Sequence, residues 1–396
     1  MQTIFSYSTS PSLNGPSHFC VFSHFDACNG LARNVIHYLK ELKELGYQVL
    51  FVSTSQFLPE GGIEELRNLC HTVFLRENVG YDFGSYKAGI QYIQNSGIRP
   101  ASLLLANDSV FGPIQPLKTI WDPAILEEFD LYGMTDSFQH GYHLQSYFLA
   151  SSRRLLESEE FRDFWNGVEN FDPQQAGFKS TIIMNYEIGG TRNFLLKGYK
   201  IGVQFPFEEI LKNRVQRLTQ QLRSLKTPEG YDNEWDTRQL GPNLNASHRY
   251  WDTLIDMGHP FIKRELLTKN PTFTPINTWP TKVIEHAHFD PTMIVEVLIE
   301  ANSLESIYNI SINDAVAKLE TLDDFMECDL NPVFHANAAS LGLALTARFG
   351  FDDEFYLNGS PDVRLAVQQG LFPDGWTHFK AYGHREGRAY RFNRIP

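Results

Sequence analysis

Residues 71–113 read HTVFLRENVGYDFGSYKAGIQYIQNSGIRPASLLLANDSVFGP, and this stretch decides the fold. The short apolar run TVFL is followed by a polar loop that begins at Arg76, and then by a helix pattern that ends near Gly97. The next run, SLLLAN (102–107), is nearly all apolar, which is typical of a strand covered by helices on both faces. Strand, helix and strand in this order predict a right-handed crossover in a mainly parallel sheet.

The flanking segments continue the alternation. HFCVFSHF (18–25) and VLFVSTS (49–55) predict buried strands, and between them apolar residues recur every three or four positions until Gly46, which predicts a helix. Further strands are predicted at 129–134, 143–150 and 199–205. The sequence therefore predicts an α/β fold with a Rossmann-like, mainly parallel sheet flanked by helices, followed by a helical C-terminal region.

Changes in composition predict the domain organisation. Residues 1–17 are rich in Ser, Pro and Gly and predict a flexible arm. The main domain is predicted at 18–290, and within it the polar residues at about 211–241 predict a mobile linker or an exposed helix. A helical region is predicted at 291–347 and a small helical module at 348–396.

Composition also excludes several classes of function. The 396 residues carry a net charge of -13, which argues against a protein that binds nucleic acid or anionic lipid through general positive charge. The four cysteines have no CxxC spacing, so they do not predict a zinc site. No signal peptide and no window of 18 apolar residues is present, which predicts a cytoplasmic protein with at most peripheral membrane contact.

Polar loops follow three of the predicted strands, after Phe25, after Leu75 and at Asn107-Asp108-Ser109. In parallel sheets ligands bind outside the carboxyl ends of the strands, so these loops predict a cleft. In the second loop, Gly80 and Gly84 would allow close backbone approach, and the helix that follows would direct its N-terminal N–H groups at an anion such as a nucleotide diphosphate.

Individual residues of these loops have candidate roles. Arg76 would pair with a phosphate or stack on a base, and Asp82 would accept hydrogen bonds from a ribose. The alternative is a helix-capping turn in which Asp82 complements the helix dipole. Asp108 is placed to bind Mg²⁺ or Mn²⁺, with weaker contacts from Asn107 and Ser109, and the alternative there is an Asx-turn.

Further downstream, Asp136 and Glu187 are candidate bases that would deprotonate an acceptor hydroxyl. His143, Gln145 and Ser146 begin a predicted strand and offer contacts to an acceptor sugar, although such residues are more often solvated. The pair Lys263 and Arg264 would stabilise a departing diphosphate, or would form a solvated basic pair.

Five segments together resemble the rhamnan synthesis protein F family of bacterial polysaccharide glycosyltransferases. They are RENVGYDFGSYKAG (76–89), LLLANDSVFGP (103–113), HLQSYFLA (143–150), YEIGGTRNFLLKGYKIG (186–202) and HPFIKRELL (259–267), and the resemblance covers about residues 18–290. It implies a GT-A-like nucleotide-diphospho-sugar transferase that builds cell-surface polysaccharide, often from a rhamnosyl donor. The tail from Phe351 to Arg388 resembles a short module appended to bacterial glycosyltransferases.

The resemblance also implies roles for residues. Asn107-Asp108-Ser109 looks like the counterpart of a DxD metal motif, but it lacks the first carboxylate, which puts metal dependence in question. Glu187 stands where such folds place the catalytic carboxylate. Asp26 would lie near the base, and the residues that would line the nucleotide and diphosphate are Arg76, Asn78, Gly80, Asp82 and Gly84.

These inferences predict an inverting transferase that moves a rhamnosyl or another hexosyl group from a dTDP-rhamnose-like or UDP-sugar donor to a glycan or lipid-linked acceptor. Glu187 would be the base, Asp136 the reserve base, and Lys263 would stabilise the leaving diphosphate. The alternative is a non-catalytic glycan-binding or assembly subunit with the same fold. A sugar nucleotidyltransferase is disfavoured, because Ser23-His-Phe-Asp-Ala is not a basic glycine-rich loop.

Overall fold

The computed structural model describes residues 2–6, 17–169, 177–224, 245–272, 274–276, 278–305, 351–383, 386 and 388–391. The chain forms two compact units, Met1–Ile262 and Lys263–Pro396. The division falls earlier than the boundary near residue 290 that composition suggested, because the segment from Lys263 onward packs within the second unit.

The first unit is built on one large sheet. Its strands are β1 (Gln2–Ser6), β2 (His18–His24), β3 (Tyr47–Ser53), β4 (Thr72–Leu75), β5 (Ser102–Asn107), β7 (Leu131–Ser137), β8 (His143–Leu144), β9 (Phe148–Ser152) and β10 (Ile201–Phe205), with a short strand, β6 (Val110–Phe111), outside it. The helices are α1 (Arg33–Glu44), α2 (Glu60–Leu69), α3 (Tyr81–Asn95), α4 (Arg153–Leu156), α5 (Glu159–Asn166), α6 (Phe178–Ile182), α7 (Gly189–Leu196) and α8 (Phe207–Ser224), then Ala246–Arg249 and Trp251–Asp256. Short turns of 3₁₀ helix (Leu117–Thr119, Pro123–Glu127) and one of π helix (Ile183–Ile188) complete it.

The strand order is β1-β4-β3-β2-β5-β9-β7-β10, and β8 pairs with β7. Strands β4, β3, β2 and β5 run parallel, as do β7 and β10, whereas β9 is antiparallel between β5 and β7. The start of β9 therefore lies at the same edge as the ends of β5 and β7. This arrangement confirms the predicted α/β fold with a mainly parallel sheet flanked by helices.

Both faces of the sheet are buried. Because side chains alternate along a strand, Cys20 and Phe22 of β2 enter the core that contains α1, while Phe19 and Val21 enter the core under α3. Strand β5 divides in the same way between the two cores. This two-sided burial explains why both strands read as continuous apolar runs.

The structure corrects the predicted N-terminal arm. Residues Gln2–Ser6 pair antiparallel with β4, with Phe5 buried in the core and Arg67 5.0 Å over its ring. Of the two alternatives for residues 211–241, a linker or an exposed helix, the structure shows a helix as far as Ser224: α8 buries Ile210 and pairs Arg214 with Asp252 at 2.8 Å. Residues 7–16 and 225–241 lie outside the described part of the chain.

The second unit is helical where it is described. Its helices are Arg264–Thr268, Trp279–Ile284, Thr292–Glu305, Asp353–Gly359, Pro361–Gln368 and Gly375–His378, and a π-helical turn follows at Phe379–Gly383. Phe351 packs against the rings of Trp376 and Phe379, each with centroids at 4.9 Å. None of the helices described in either unit is long and apolar enough to cross a membrane.

Candidate active site

The sheet brings most of the predicted site residues to one edge. Strands β2, β4, β5 and β7 end there and β9 begins there, so the loops that carry Asp26, Asp108 and Ser146 leave the sheet on the same side. Asp82, in the first turn of α3, and Asp136, near the end of β7, lie at this edge too. Lys263 belongs to the second unit, and its role in leaving-group stabilisation stays a prediction.

Asp82 ties helix α3 to the ends of two strands. Its Oδ1 accepts a hydrogen bond from Ser23 Oγ at 2.8 Å, and its Oδ2 accepts one from Asn107 Nδ2 at 3.0 Å. The amide oxygen of Asn107 accepts from both N and Oγ of Ser109, at 3.1 and 2.6 Å, and thus forms an Asx-type turn. Asp82 and Asn107 therefore join the start of α3 to the ends of β2 and β5. Their contacts to a donor stay predictions.

Arg76 clamps the loop in front of α3. Its Nη2 donates to Val79 O at 2.7 Å and its Nη1 to Ser85 Oγ at 3.2 Å, while burial lowers the pKa of the guanidinium. A Cβ on Gly84 would lie 2.6 Å from Val79 O and 2.8 Å from Arg76 Nη2, so the absence of a side chain there lets the clamp close. Gly84 serves this packing, and the close approach of a phosphate to its backbone stays a prediction.

The remaining residues of this loop differ in exposure. Asn78 is exposed, whereas Gly80 is buried and adopts φ +73° immediately before α3, the left-handed conformation that glycine favours. On the neighbouring loop, Asp26 is buried and its Oδ1 accepts a hydrogen bond from Cys28 N at 2.7 Å, so the carboxylate caps its own turn. A contact from Asp26 to a nucleotide base stays a prediction.

Asp108 is half-buried at the end of β5. Its Oδ2 accepts a hydrogen bond from Phe25 N at 3.1 Å, which joins the loops after β2 and β5. Among the residues that the structure describes, no three His, Cys, Asp or Glu side chains are grouped to hold a metal ion. A single carboxylate fits only the binding mode in which Mg²⁺ or Mn²⁺ takes its other ligands from water and substrate phosphates.

The carboxylate of Glu187 is hydrogen-bonded to Ser146. The glutamate lies on the π-helical turn Ile183–Ile188, a local geometry that is frequent at functional sites. Its Oε1 accepts hydrogen bonds from Ser146 N at 2.7 Å and Ser146 Oγ at 2.8 Å, and the carbonyl of Ser146 accepts one from Tyr86 at 3.0 Å. The structure thus places a predicted base beside a predicted acceptor-binding residue.

Three other predicted site residues point into the protein. The Oδ1 of Asp136 accepts from Phe207 N at 2.7 Å, and burial raises the pKa of this carboxyl. His143 Nδ1 donates to Gly141 O at 2.8 Å. Gln145 accepts from Thr135 Oγ at 2.7 Å. Both His143 and Gln145 are buried, and their contacts to an acceptor sugar stay predictions.

Sequence reasoning missed the aromatic side chains at this edge. Phe25 is 46% exposed, Tyr81 42% and Phe138 37%. Tyr81 adopts φ +50°, which is unusual for a bulky residue. The signal available in the sequence was the position of each aromatic residue directly after a strand or in a glycine-containing loop.

The profile of the rhamnan synthesis protein F family matches residues 49–216. The virulence protein VirA of Vibrio anguillarum is 31% identical over 241 residues, which cover 59% of this chain and 74% of VirA. The chain belongs to the rhamnan synthesis protein F family. The matched segment contains the Arg76 loop, Asp108, Ser146 and Glu187, while Asp26 and Lys263 lie outside it.

Other similarities are more partial. The protein y4gN of Sinorhizobium fredii is 32% identical over 187 residues, so the chain spans about half (47%) of that relative's length and aligns over 46% of its own. Among solved structures, the mannosyltransferase PcManGT from Pyrobaculum calidifontis, in complex with GDP-Man and Mn²⁺, has a TM-score of 0.28 at 12% identity, over 84% of this chain and 86% of that one. The glycosyltransferase GlyE of Streptococcus pneumoniae also gives 0.28 at 12% identity, over 53% and 50%. TM-scores this low carry no conclusion about activity.

Proposed function

We propose that this chain is a nucleotide-sugar-dependent glycosyltransferase of cell-surface polysaccharide synthesis. It would move a rhamnosyl or another hexosyl group from a dTDP-rhamnose-like or UDP-sugar donor to a glycan or lipid-linked acceptor. Membership of the rhamnan synthesis protein F family supports the polysaccharide product. The observation that carries the proposal is the contact between Glu187 and Ser146 at the sheet edge where Asp108 also lies.

Glu187 suits the role of general base because its two carboxylate oxygens differ in their hydrogen bonds. Both hydrogen bonds described for its carboxylate reach Oε1, so this oxygen fixes the orientation of the side chain and Oε2 is the oxygen that would take a proton. The acceptor hydroxyl would lose its proton to Oε2 while its oxygen bonds to the anomeric carbon. The bond from that carbon to the donor phosphate oxygen would break, and the nucleoside diphosphate would leave with the electron pair. This displacement inverts the anomeric centre.

Asp136 is the weaker candidate for the base. It is buried, and its Oδ1 is engaged by the first backbone N–H of α8. On the donor side, Asp108 is the residue that would hold Mg²⁺ or Mn²⁺ together with the diphosphate, and the ion would neutralise phosphate charge. Lys263 remains the proposed contact to the leaving group. The proposed reaction takes place in the cytoplasm, with at most peripheral contact to the inner face of the membrane.

The experiment is a panel of nucleotide sugars assayed by release of nucleoside diphosphate, with and without EDTA. Glu187→Gln is the informative variant, because the amide oxygen can still accept both hydrogen bonds from Ser146 while the base is lost. Transfer should fall on the order of 10²- to 10⁴-fold with donor affinity unchanged. Asp136→Asn is the matched control, and full transfer by both Glu187→Ala and Asp136→Ala would refute this mechanism.

One observation favours a second function, a non-catalytic glycan-binding or assembly subunit. Asn107 stands where a first metal carboxylate would be expected, and its side chain is engaged by Asp82 and Ser109. Calorimetry of the wild-type chain with each donor, with and without Mg²⁺ or Mn²⁺, separates the two functions. Binding of no nucleotide sugar would favour the assembly subunit.

A further inference from the structure

The loop between β7 and β8, residues 138–142, is held in one conformation. Gln139 N donates to Ser137 Oγ at 3.1 Å, and Gly141 N donates to Phe138 O at 3.1 Å. His140 and Gly141 adopt φ +62° and +124°, and the buried His143 fixes the Gly141 carbonyl. A short exposed loop with these constraints is pre-ordered before any ligand arrives, which reduces the entropy lost on binding.

This loop presents an aromatic ring to solvent. Phe138 is 37% exposed, and its ring is supported by Tyr142, with centroids at 5.3 Å, and by the buried Phe207 at 5.5 Å. Burial and the nearby Asp136 raise the pKa of Tyr142 to about 12, so its hydroxyl stays protonated at neutral pH. The surface therefore combines one apolar ring with a hydrogen-bond donor.

The loop is also connected to the candidate base. A Cβ on Gly141 would lie 3.8 Å from Ile188 Cγ2, and Ile188 directly follows Glu187. Leu144 N, one residue beyond His143, donates to Thr191 Oγ1 at 3.1 Å, and that hydroxyl donates to the carbonyl of Glu187 at 3.2 Å. The position of the aromatic ring is therefore linked to the backbone that carries the base.

We propose that Phe138, with Tyr142 beside it, is a stacking platform for a pyranose ring of the acceptor glycan. A pyranose has an apolar C–H face and a rim of hydroxyl groups, and the negative face of an aromatic ring attracts such C–H groups. The exposed side chains of Gln139 and His140 supply polar contacts for the rim. This inference rests on the proposed transferase function and adds an exposed acceptor contact to those predicted for His143, Gln145 and Ser146.

The test compares Phe138→Ala, Phe138→Trp and the control Phe57→Ala, which truncates an exposed phenylalanine (56%) on the loop after β3. Saturation-transfer NMR with a panel of methyl hexosides and methyl 6-deoxyhexosides measures binding without turnover. Phe138→Ala should weaken glycoside binding, and raise the acceptor KM, on the order of 10-fold. Phe138→Trp and Phe57→Ala should bind like the wild type, and donor hydrolysis should be unchanged in all three.

Three results separate this inference from the proposed function. If the wild type hydrolyses a donor but Phe138→Ala binds glycosides as well as the wild type does, the platform alone is overturned. Glycoside binding that depends on Phe138, without hydrolysis or transfer from any donor, would support the platform and overturn the transferase. A wild-type chain that neither hydrolyses a donor nor binds any glycoside would overturn both.

Discussion

Replacement of Asp82 by alanine should destabilise the first unit. The Asp82 carboxylate accepts one hydrogen bond from Ser23 and one from Asn107, and these two residues are only 3% and 2% exposed. Removing it leaves two buried polar groups unpaired, at about 1–3 kcal/mol each, or roughly 3 kcal/mol in total if relaxation recovers part of the loss. For a unit of this size that corresponds to a melting temperature lower by about 6–12 °C.

The assay is thermal unfolding followed by tryptophan fluorescence, in parallel with donor binding by calorimetry. Asp82→Asn is the matched control. Its oxygen can still accept from Ser23, but its NH₂ group would face that of Asn107, so about half of the loss is expected. If Asp82→Ala unfolded at the wild-type temperature and lost only donor affinity, Asp82 would be a ligand contact as the sequence predicted, and the structural role argued here would be wrong.

Two further predictions concern the same sheet edge. Gly84→Ala should lower the free energy of unfolding by about 1–3 kcal/mol, because the new Cβ would overlap Val79 O and Arg76. The milder control is Ser85→Ala, which removes only the hydroxyl that accepts the 3.2 Å hydrogen bond from Arg76. If Gly84→Ala unfolded at the same denaturant concentration as the wild type, this account of the packing would be wrong. Burial raises the pKa of the Asp136 carboxyl in the native state, so the native state holds this proton more tightly than the unfolded state does. The free energy of unfolding should therefore fall as the pH rises from the ordinary carboxyl pKa through the raised one. Asp136→Asn keeps an oxygen for Phe207 N and should flatten this part of the pH profile of melting temperature, whereas a profile as steep as that of the wild type would contradict the assignment.

The sheet could be predicted from the sequence because strands buried on both faces have a strong signature. Continuous apolar runs such as 102–107 and the helix-spaced residues between them predict a parallel α/β sheet directly. The pairing of Gln2–Ser6 with β4 could not be predicted, because five residues beside a polar, Ser- and Pro-rich segment give no periodicity. For the polar stretch that contains α8 the sequence left a linker and an exposed helix open, because the helix pairs Arg214 with Asp252 of a later helix and sequence spacing alone does not identify such a partner.

For the site, the sequence predicted which loops meet but not which side chains point outward. The edge position of the Asn107-Asp108-Ser109 turn followed from strand direction, and the structure places Asp108 there. The contact between Ser146 and Glu187 did not follow from strand direction. The orientation of Gln145 depends on Thr135 and on Asn245, a residue 100 positions away, so no local pattern could show that it is buried. Contacts of this kind require the tertiary structure.

The motif RENVGYDFG therefore has two physical parts. Arg76, Gly84 and Asp82 build the loop: the first two pack against each other, and the third joins α3 to β2 and β5. Three exposed residues lie between them, Glu77, Asn78 and Tyr81, and Tyr81 adopts φ +50° in spite of its bulk. Backbone strain of this kind persists only where the surroundings enforce it, and it occurs most often at functional sites. Arg76 fixes the backbone before Tyr81 through Val79 O and the helix after it through Ser85 Oγ. Substitutions of Arg76 should therefore weaken ligand binding even if Arg76 touches no ligand.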